Sequence, residues 1–107
     1  MKSYYHYYDV CFTKDAAVFD REFTADDYEV IEGLDDVTSN ELQLIIKVIE
    51  YVRPDIERVR VLYNVYEHDD DAEDDVCLTC DSILDVVRDN EGKFVLNNWV
   101  NNKFIKF

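Results

Sequence analysis

The apolar positions of this chain change period several times, and each change marks out an element. Tyr4, His6, Tyr8, Val10 and Phe12 fall on one side of a two-residue repeat, which predicts a strand over Tyr4 to Phe12. Val18 to Phe23 predicts a second strand, joined to the first as a hairpin by a turn near Asp15. Thr24 with Asp27 makes a capping-box pattern, so a short acidic helix is expected from Ala25 to Glu32, closed by Gly33. From Thr38 the period is helical. Thr38 with Glu41 is a second capping box, and Leu42, Ile45, Ile46, Ile49 and Val52 recur on one stripe. Leu44 and Val48 widen that stripe, so a well-buried helix is expected over 38–53, ended by Pro54.

Residues 58–66 return to alternation. Val59, Val61, Tyr63 and Val65 interleave with Arg58, Arg60, Leu62 and Asn64, and the apolar Leu62 and Tyr66 on the second side suggest a strand covered on both faces. Further on, Asp81 or Ser82 can cap a helix through Val87, with Gly92 after it. Phe94 to Phe107 reads as a final hairpin turned at Asn101-Asn102, or as a helical turn over Trp99 to Phe104. The sum is an α+β fold: a mostly antiparallel sheet, one long central helix (about 38–53) packed on it, and short acidic helices. A length of 107 residues fits a single domain, 1–107. Only Gly33, Gly92 and Pro54 punctuate the chain, so its turns are expected to lean on Asn90, Asn97, Asn98, Asn101 and Asn102.

Charge changes this picture most. The net charge is −14, and self-repulsion on that scale works against a compact fold. The acids fall in two blocks. Residues 9–41 hold eleven against Lys14 and Arg21, and residues 67–91 hold eleven against Arg88. The centre, 42–66, is near neutral, and the last sixteen residues carry three lysines and no acid. With 48% hydrophobic residues this is not a disordered acidic tail.

The densest run is Glu67, Asp69, Asp70, Asp71, Glu73, Asp74 and Asp75, seven carboxylates in nine residues. In the first block, Asp20 and Glu22 alternate on the second expected strand. Carboxylates two strand positions apart stand roughly 6.7 Å from each other, a spacing similar to that of phosphates on one DNA strand. Asp26, Glu29 and Glu32 would share one face of the short acidic helix, with Asp27, Asp35 and Asp36 beside them. Like charges at that spacing weaken an isolated helix. Retaining them implies that the field itself is useful. Such a surface suits the Lys/Arg channel of a nucleic-acid-handling protein, with fast, salt-sensitive association. Tyr4, Tyr5, Tyr7, Tyr8 and Tyr28 are expected to stack on arginine planes there, as bases do.

In charge and size, though in no specific motif, the chain resembles the small acidic inhibitors of phages and other mobile elements. These include restriction inhibitors, uracil-DNA glycosylase inhibitors and some anti-CRISPR proteins. The resemblance implies a decoy occupying the nucleic-acid site of a host defence or DNA-processing protein.

No enzyme is expected: the chain has no glycine-rich phosphate loop and no nucleophile elbow, and His6 sits in an aromatic strand. No cofactor is expected either. A calcium loop starting at Asp69 would need Gly and Glu where Asp74 and Cys80 stand. Cys77-Leu-Thr-Cys80 supplies two thiolates where structural zinc takes four ligands, with His68, His6 or Cys11 as the candidates to complete a set. Buried reduced thiols are the simpler reading. An odd cysteine count and no signal-peptide pattern place the chain in the cytoplasm, and no apolar run is long enough to span a membrane. Two alternatives stand beside the decoy. One is an interaction module or antidote binding through Tyr4, Tyr5, Tyr7, Trp99 and Phe104, and the other is a small zinc-stabilised domain. The aromatic strand Tyr4–Phe12 also offers an edge for a homodimer.

Overall fold

A computed structural model describes residues 1–20 and 25–97 of the chain. Five strands, β1 (Lys2–Thr13), β2 (Glu29–Leu34), β3 (Arg58–Asp69), β4 (Val76–Arg88) and β5 (Phe94–Leu96), and one helix, α1 (Ser39–Val52), make up most of it. The strands form one antiparallel sheet in the order β2-β1-β3-β4-β5. The expected long central helix with short acidic helices is therefore overturned. The described residues are mostly antiparallel sheet and carry a single α-helix of 14 residues.

Two of the corrections share a cause, which is that strand pairing outweighs local helix signals. Only Ala25–Asp27 of the first expected acidic helix makes a 3-10 turn, and Glu29 onward pairs with β1 as β2. Val30 and Ile31 are β-branched, pair with Cys11 and Val10, and pack half-buried on opposite faces of the sheet. Of the expected strand Val18–Phe23, Val18–Asp20 is a 3-10 turn, and residues 21–24 lie outside the described ones. The helix expected after Asp81 is the second half of β4. Its misleading period comes from a register shift opposite Val61/Leu62, which lets the consecutive Ile83 and Leu84 both reach the core. The hairpin expected over Phe94–Phe107 lies outside the described residues beyond Asn97.

α1 starts at the Thr38 capping box, with Thr38 Oγ1 accepting from the Glu41 N–H and Glu41 Oε1 accepting from the Thr38 N–H. It buries one face only. Leu42, Ile46 and Ile49 pack on Val10, Phe12, Val59, Val61, Leu84 and Val86 of the sheet. Leu44 is 63% exposed and Val48 49%, so the expectation of a well-buried helix fails on its outer face. The other sheet face is covered at the same end by Val18, Phe19 and Tyr28, packed on Cys11 and Leu62.

Among the described residues the two glycines, and neither Asn90 nor Asn97, supply the left-handed backbone, while Asn98, Asn101 and Asn102 lie outside the described residues. Gly33 (φ 71°) and Gly92 (φ 79°) are its only positions among the described residues. Gly33 sits at a register shift in the β1–β2 pairing and gives its N–H to Asp9 Oδ1 at 3.1 Å. Gly92 closes the β4–β5 turn, where Asp89 Oδ1 accepts the N–H groups of Glu91 and Lys93.

Cover runs out halfway along the sheet. The molecule is 52 Å long and 25–29 Å across. Lys2–Tyr8, Tyr63–Asp69 and Val76–Ser82 project past the helix as a three-stranded arm whose residues are exposed or half-buried, apart from Asn64.

Candidate functional site

The acidic run 67–75 forms the far tip of this arm. Glu67 and Asp69 end β3 opposite Tyr4 and Lys2, and Lys2 Nζ lies 3.4 Å from Glu67. The turn is tied by Asp69, whose carbonyl accepts from the Ala72 N–H and whose Oδ1 accepts from the Asp71 N–H. Asp75 accepts the Tyr5 hydroxyl at 2.5 Å and lies 2.7 Å from His68 Nδ1. The other ring nitrogen, Nε2, is 3.2 Å from Asp70 Oδ1. Two carboxylates on one imidazole favour its charged form, so the His68 pKa is raised, mainly by Asp75. The same contact pushes the Tyr5 hydroxyl up to about 12. Asp75 is held below its ordinary value by the Tyr5 hydroxyl and then by His68. Asp71, Glu73 and Asp74 are exposed and make no side-chain bond or ion pair among the described residues.

The second block is dispersed. Asp20 ends a 3-10 turn, and Glu22 lies outside the described residues. Asp26, Glu29 and Glu32 do not share a helix face. Asp26 and Asp27 stand in the 3-10 turn, and Glu29 and Glu32 in β2. Glu29 is a structural tie, since Arg53 holds it through Nη1 at 3.2 Å and Nη2 at 2.8 Å while also binding Asp55. Glu32, Asp35 and Asp36 are exposed near the point where β2 leaves the sheet. Asp26, Asp27, Lys14 and Arg53 help line an open groove of about 450 Å³.

Among the described residues, Arg58, Arg60 and Arg88 turn inward. Arg58 grips Asp85 with Nε at 2.9 Å and Nη2 at 2.7 Å, and gives Nη1 to the Ala16 carbonyl. Arg60 Nη2 reaches the same carboxylate at 2.9 Å, and both guanidinium groups stand over the Phe19 ring. Arg88 donates to backbone carbonyls at Ile56, Gly92, Glu50 and Arg53. Sequence reasoning missed these ties, although Arg58 and Arg60 share a strand face with Leu62, a signal of covered cations.

The tyrosines mostly stack on one another. Tyr5 and Tyr7 lie 5.6 and 5.7 Å from Tyr66 on one face of the arm, Tyr8 packs on Tyr63 on the other, and Tyr28 meets Phe19. A register shift opposite Val65/Tyr66 places Cys77 across from Tyr66 and Cys80 across from Asn64, on the same face. Burial pushes the Cys11 thiol up to about 12 and raises Cys80. Among the described residues, no three His, Cys, Asp or Glu side chains are grouped to hold a metal ion. Likewise, no described helix is long and apolar enough to cross a membrane.

Register places the acidic groups along the long axis. Asp69 is level with Lys2, Leu34 with Tyr8 and Glu29 with Phe12. At about 3.4 Å per residue, the tip stands about 20 Å from the end of β2 and about 35 Å from its start. No protein-family model, no curated protein and no solved structure matches this chain.

Proposed function

We propose that the protein is a non-enzymatic acidic decoy, occupying the basic nucleic-acid site of a host defence or DNA-processing protein in the cytoplasm. An inhibitor of anti-CRISPR or anti-restriction type, encoded by a phage or mobile element, is its most concrete form. The reading rests on one observation. Arg53, Arg58, Arg60 and Arg88 are all bound into the fold, while acids at the arm tip and beyond β2 face water. The surface therefore keeps the sequence's excess of negative charge. Spread over 52 Å, a charge of −14 is about one per 3–4 Å, close to the 3.4 Å interval of a single DNA strand and about half the density of a duplex. Asp71, Glu73 and Asp74 at the tip, and Glu32 near the end of β2 with Asp35 and Asp36 just beyond it, stand in for phosphates. Glu29 is excluded by its tie to Arg53.

Capture from a nuclease-treated bacterial lysate, eluted with a salt gradient, tests this. The expected result is a nucleic-acid-binding protein that leaves at moderate salt, is displaced by added nucleic acid, and is lost by a variant with Asp70, Asp71, Glu73 and Asp74 neutralised. A partner that resists salt and ignores nucleic acid overturns the reading. It would favour the second one, an interaction module using the arm's uncovered tyrosine faces.

A further inference from the structure

β5 covers only the start of the β4 edge. It pairs at Arg88, Val87 and Val86, and Asn97 adds one more rung by giving its N–H to the Asp85 carbonyl at 2.8 Å. Among the described residues no strand lies beside Val76–Leu84 on that side, so this flank of the arm carries unpaired backbone groups. Which groups face outward follows from the pairing. Asp85 bonds with Asn97, and Asp89 gives its N–H to Lys93, so the odd positions point outward there. The register shifts on the β3 side then change the parity. Ile83 is skipped between Leu84 and Ser82, and Leu78 between Thr79 and Cys77. Beyond Asp85 the outward groups are therefore those of Ser82, Cys80 and Cys77. Ser82 Oγ is also buried with no hydrogen-bond partner among the described residues.

We propose that the chain fills this lane itself, with residues 98–107 continuing β5 antiparallel along β4 to the acidic tip. Direction, length and charge each support this occupant. The rungs Arg88–Phe94, Val87–Val95, Val86–Leu96 and Asp85–Asn97 already carry the chain toward the tip in one register. Asp85 to Val76 lie opposite Arg60 to Glu67, so the open lane is about 23 Å long. The ten residues after Asn97 reach about 33 Å when extended, and they contain no proline or glycine to interrupt a strand. Allowing for the two skipped residues, Trp99 falls opposite Ser82, Asn101 opposite Cys80 and Lys103 opposite Cys77. Trp99 brings an indole N–H, a donor for Ser82 Oγ. The segment holds Lys103 and Lys106 and no acid, and this register sets both lysines at the acidic end of the lane. A second copy would instead bring a charge of −14 to the same edge. The pairing does not depend on the decoy reading.

Amide hydrogen exchange of the full chain, read by NMR, tests the proposal. The Ser82 and Cys80 N–H groups are expected to be protected at every protein concentration, and Val100 and Asp81 to show a cross-strand Hα–Hα contact. Two variants remove the rung at Cys80: a chain ending at Asn97, and the full-length Asn101→Pro, which lacks the N–H that the rung needs. Both are expected to lose protection at Cys80. The amides of Val59 and Val61, which pair with β4 in the core, should keep theirs and so verify that the fold is intact. Free exchange at Ser82 and Cys80 in the full chain, or protection that survives both variants, overturns the proposal. Protection that grows with protein concentration gives the edge to a second copy and overturns it equally. Protection without the Val100–Asp81 contact overturns the register.

Discussion

Arg58 and Asp85 meet side by side in the middle of the sheet, with guanidinium and carboxylate side chains 1% and 0% exposed and two bonds between them. A bidentate pair so deeply buried offsets its own desolvation only while both partners remain. Asp85→Asn leaves two arginines, Arg58 and Arg60, facing a neutral amide. It is expected to destabilise the fold by about 3–5 kcal/mol in urea unfolding. Replacing Arg58 and Asp85 together by Met and Leu removes the deeply buried charge, leaves only the partly exposed Arg60 without its carboxylate, and is expected to cost less than Asp85→Asn alone. Equal losses would show that packing, not charge, holds this site.

Arg88 closes the helix from a distance. Its Nη2 donates to the carbonyls of Glu50 and Arg53, two of the last acceptors of α1, and its guanidinium stands 4.4 Å from the centre of the Phe94 ring. No basic residue lies in the last turn of the helix itself. Arg88→Met keeps the stem and removes the fork, and is expected to cost about 2 kcal/mol or more. Arg88→Lys recovers only part of this, because an ammonium cannot reach carbonyls on both sides at once. Hydrogen exchange at Ile49–Arg53 should rise in both variants.

These two arginines also show where the sequence was readable. Local signals worked wherever local chemistry decided the outcome. Thr38 and Glu41 cap α1, Pro54 follows it, and Val59, Val61 and Tyr63 face the core. Reading failed where a distant partner decided. Glu29–Leu34 has helical charge spacing but becomes strand because β1 lies beside it, and Ile83 with Leu84 mimics a helix through a register shift. The acidic tip was legible as a run of charge. Its internal clamp was not, since Tyr5, His68 and Asp75 come together only through the pairing of β1, β3 and β4.

That clamp gives a pH dependence of definite sign. The folded-state pKa of His68 lies above its ordinary value of 6.5, because Asp75 and Asp70 favour the imidazolium. Its contribution is complete below about pH 6.5 and is lost as pH rises through the higher folded value. Unfolding midpoints are therefore expected to fall as the pH rises above about 6.5. His68→Gln should flatten that segment, and Asp75→Asn should lower the His68 titration seen by NMR. Asp75 acts in the opposite sense. Its pKa is depressed, so its share is present above the unfolded carboxyl value near 3.9 and disappears as the solution is acidified. A His68 resonance titrating at or below 6.5 would rule the clamp out.

The remaining tip acids separate stability from recognition. Asp71, Glu73 and Asp74 are exposed and make no ion pair among the described residues, and they sit within a few residues of four other carboxylates. Their repulsion opposes folding, most strongly where salt is dilute. Asp71→Asn, Glu73→Gln and Asp74→Asn together are expected to raise the unfolding midpoint at low ionic strength. The gain should vanish near 1 M salt, where the screening length is about 3 Å. The same variant is expected to lose affinity for a basic partner and to show a shallower dependence of binding on salt, because fewer charge contacts form. A variant that gains stability and still binds with an unchanged salt slope would place these carboxylates outside the recognition surface. The phosphate-like role would then fall to Glu32 near the end of β2 and to Asp35 and Asp36 just beyond it.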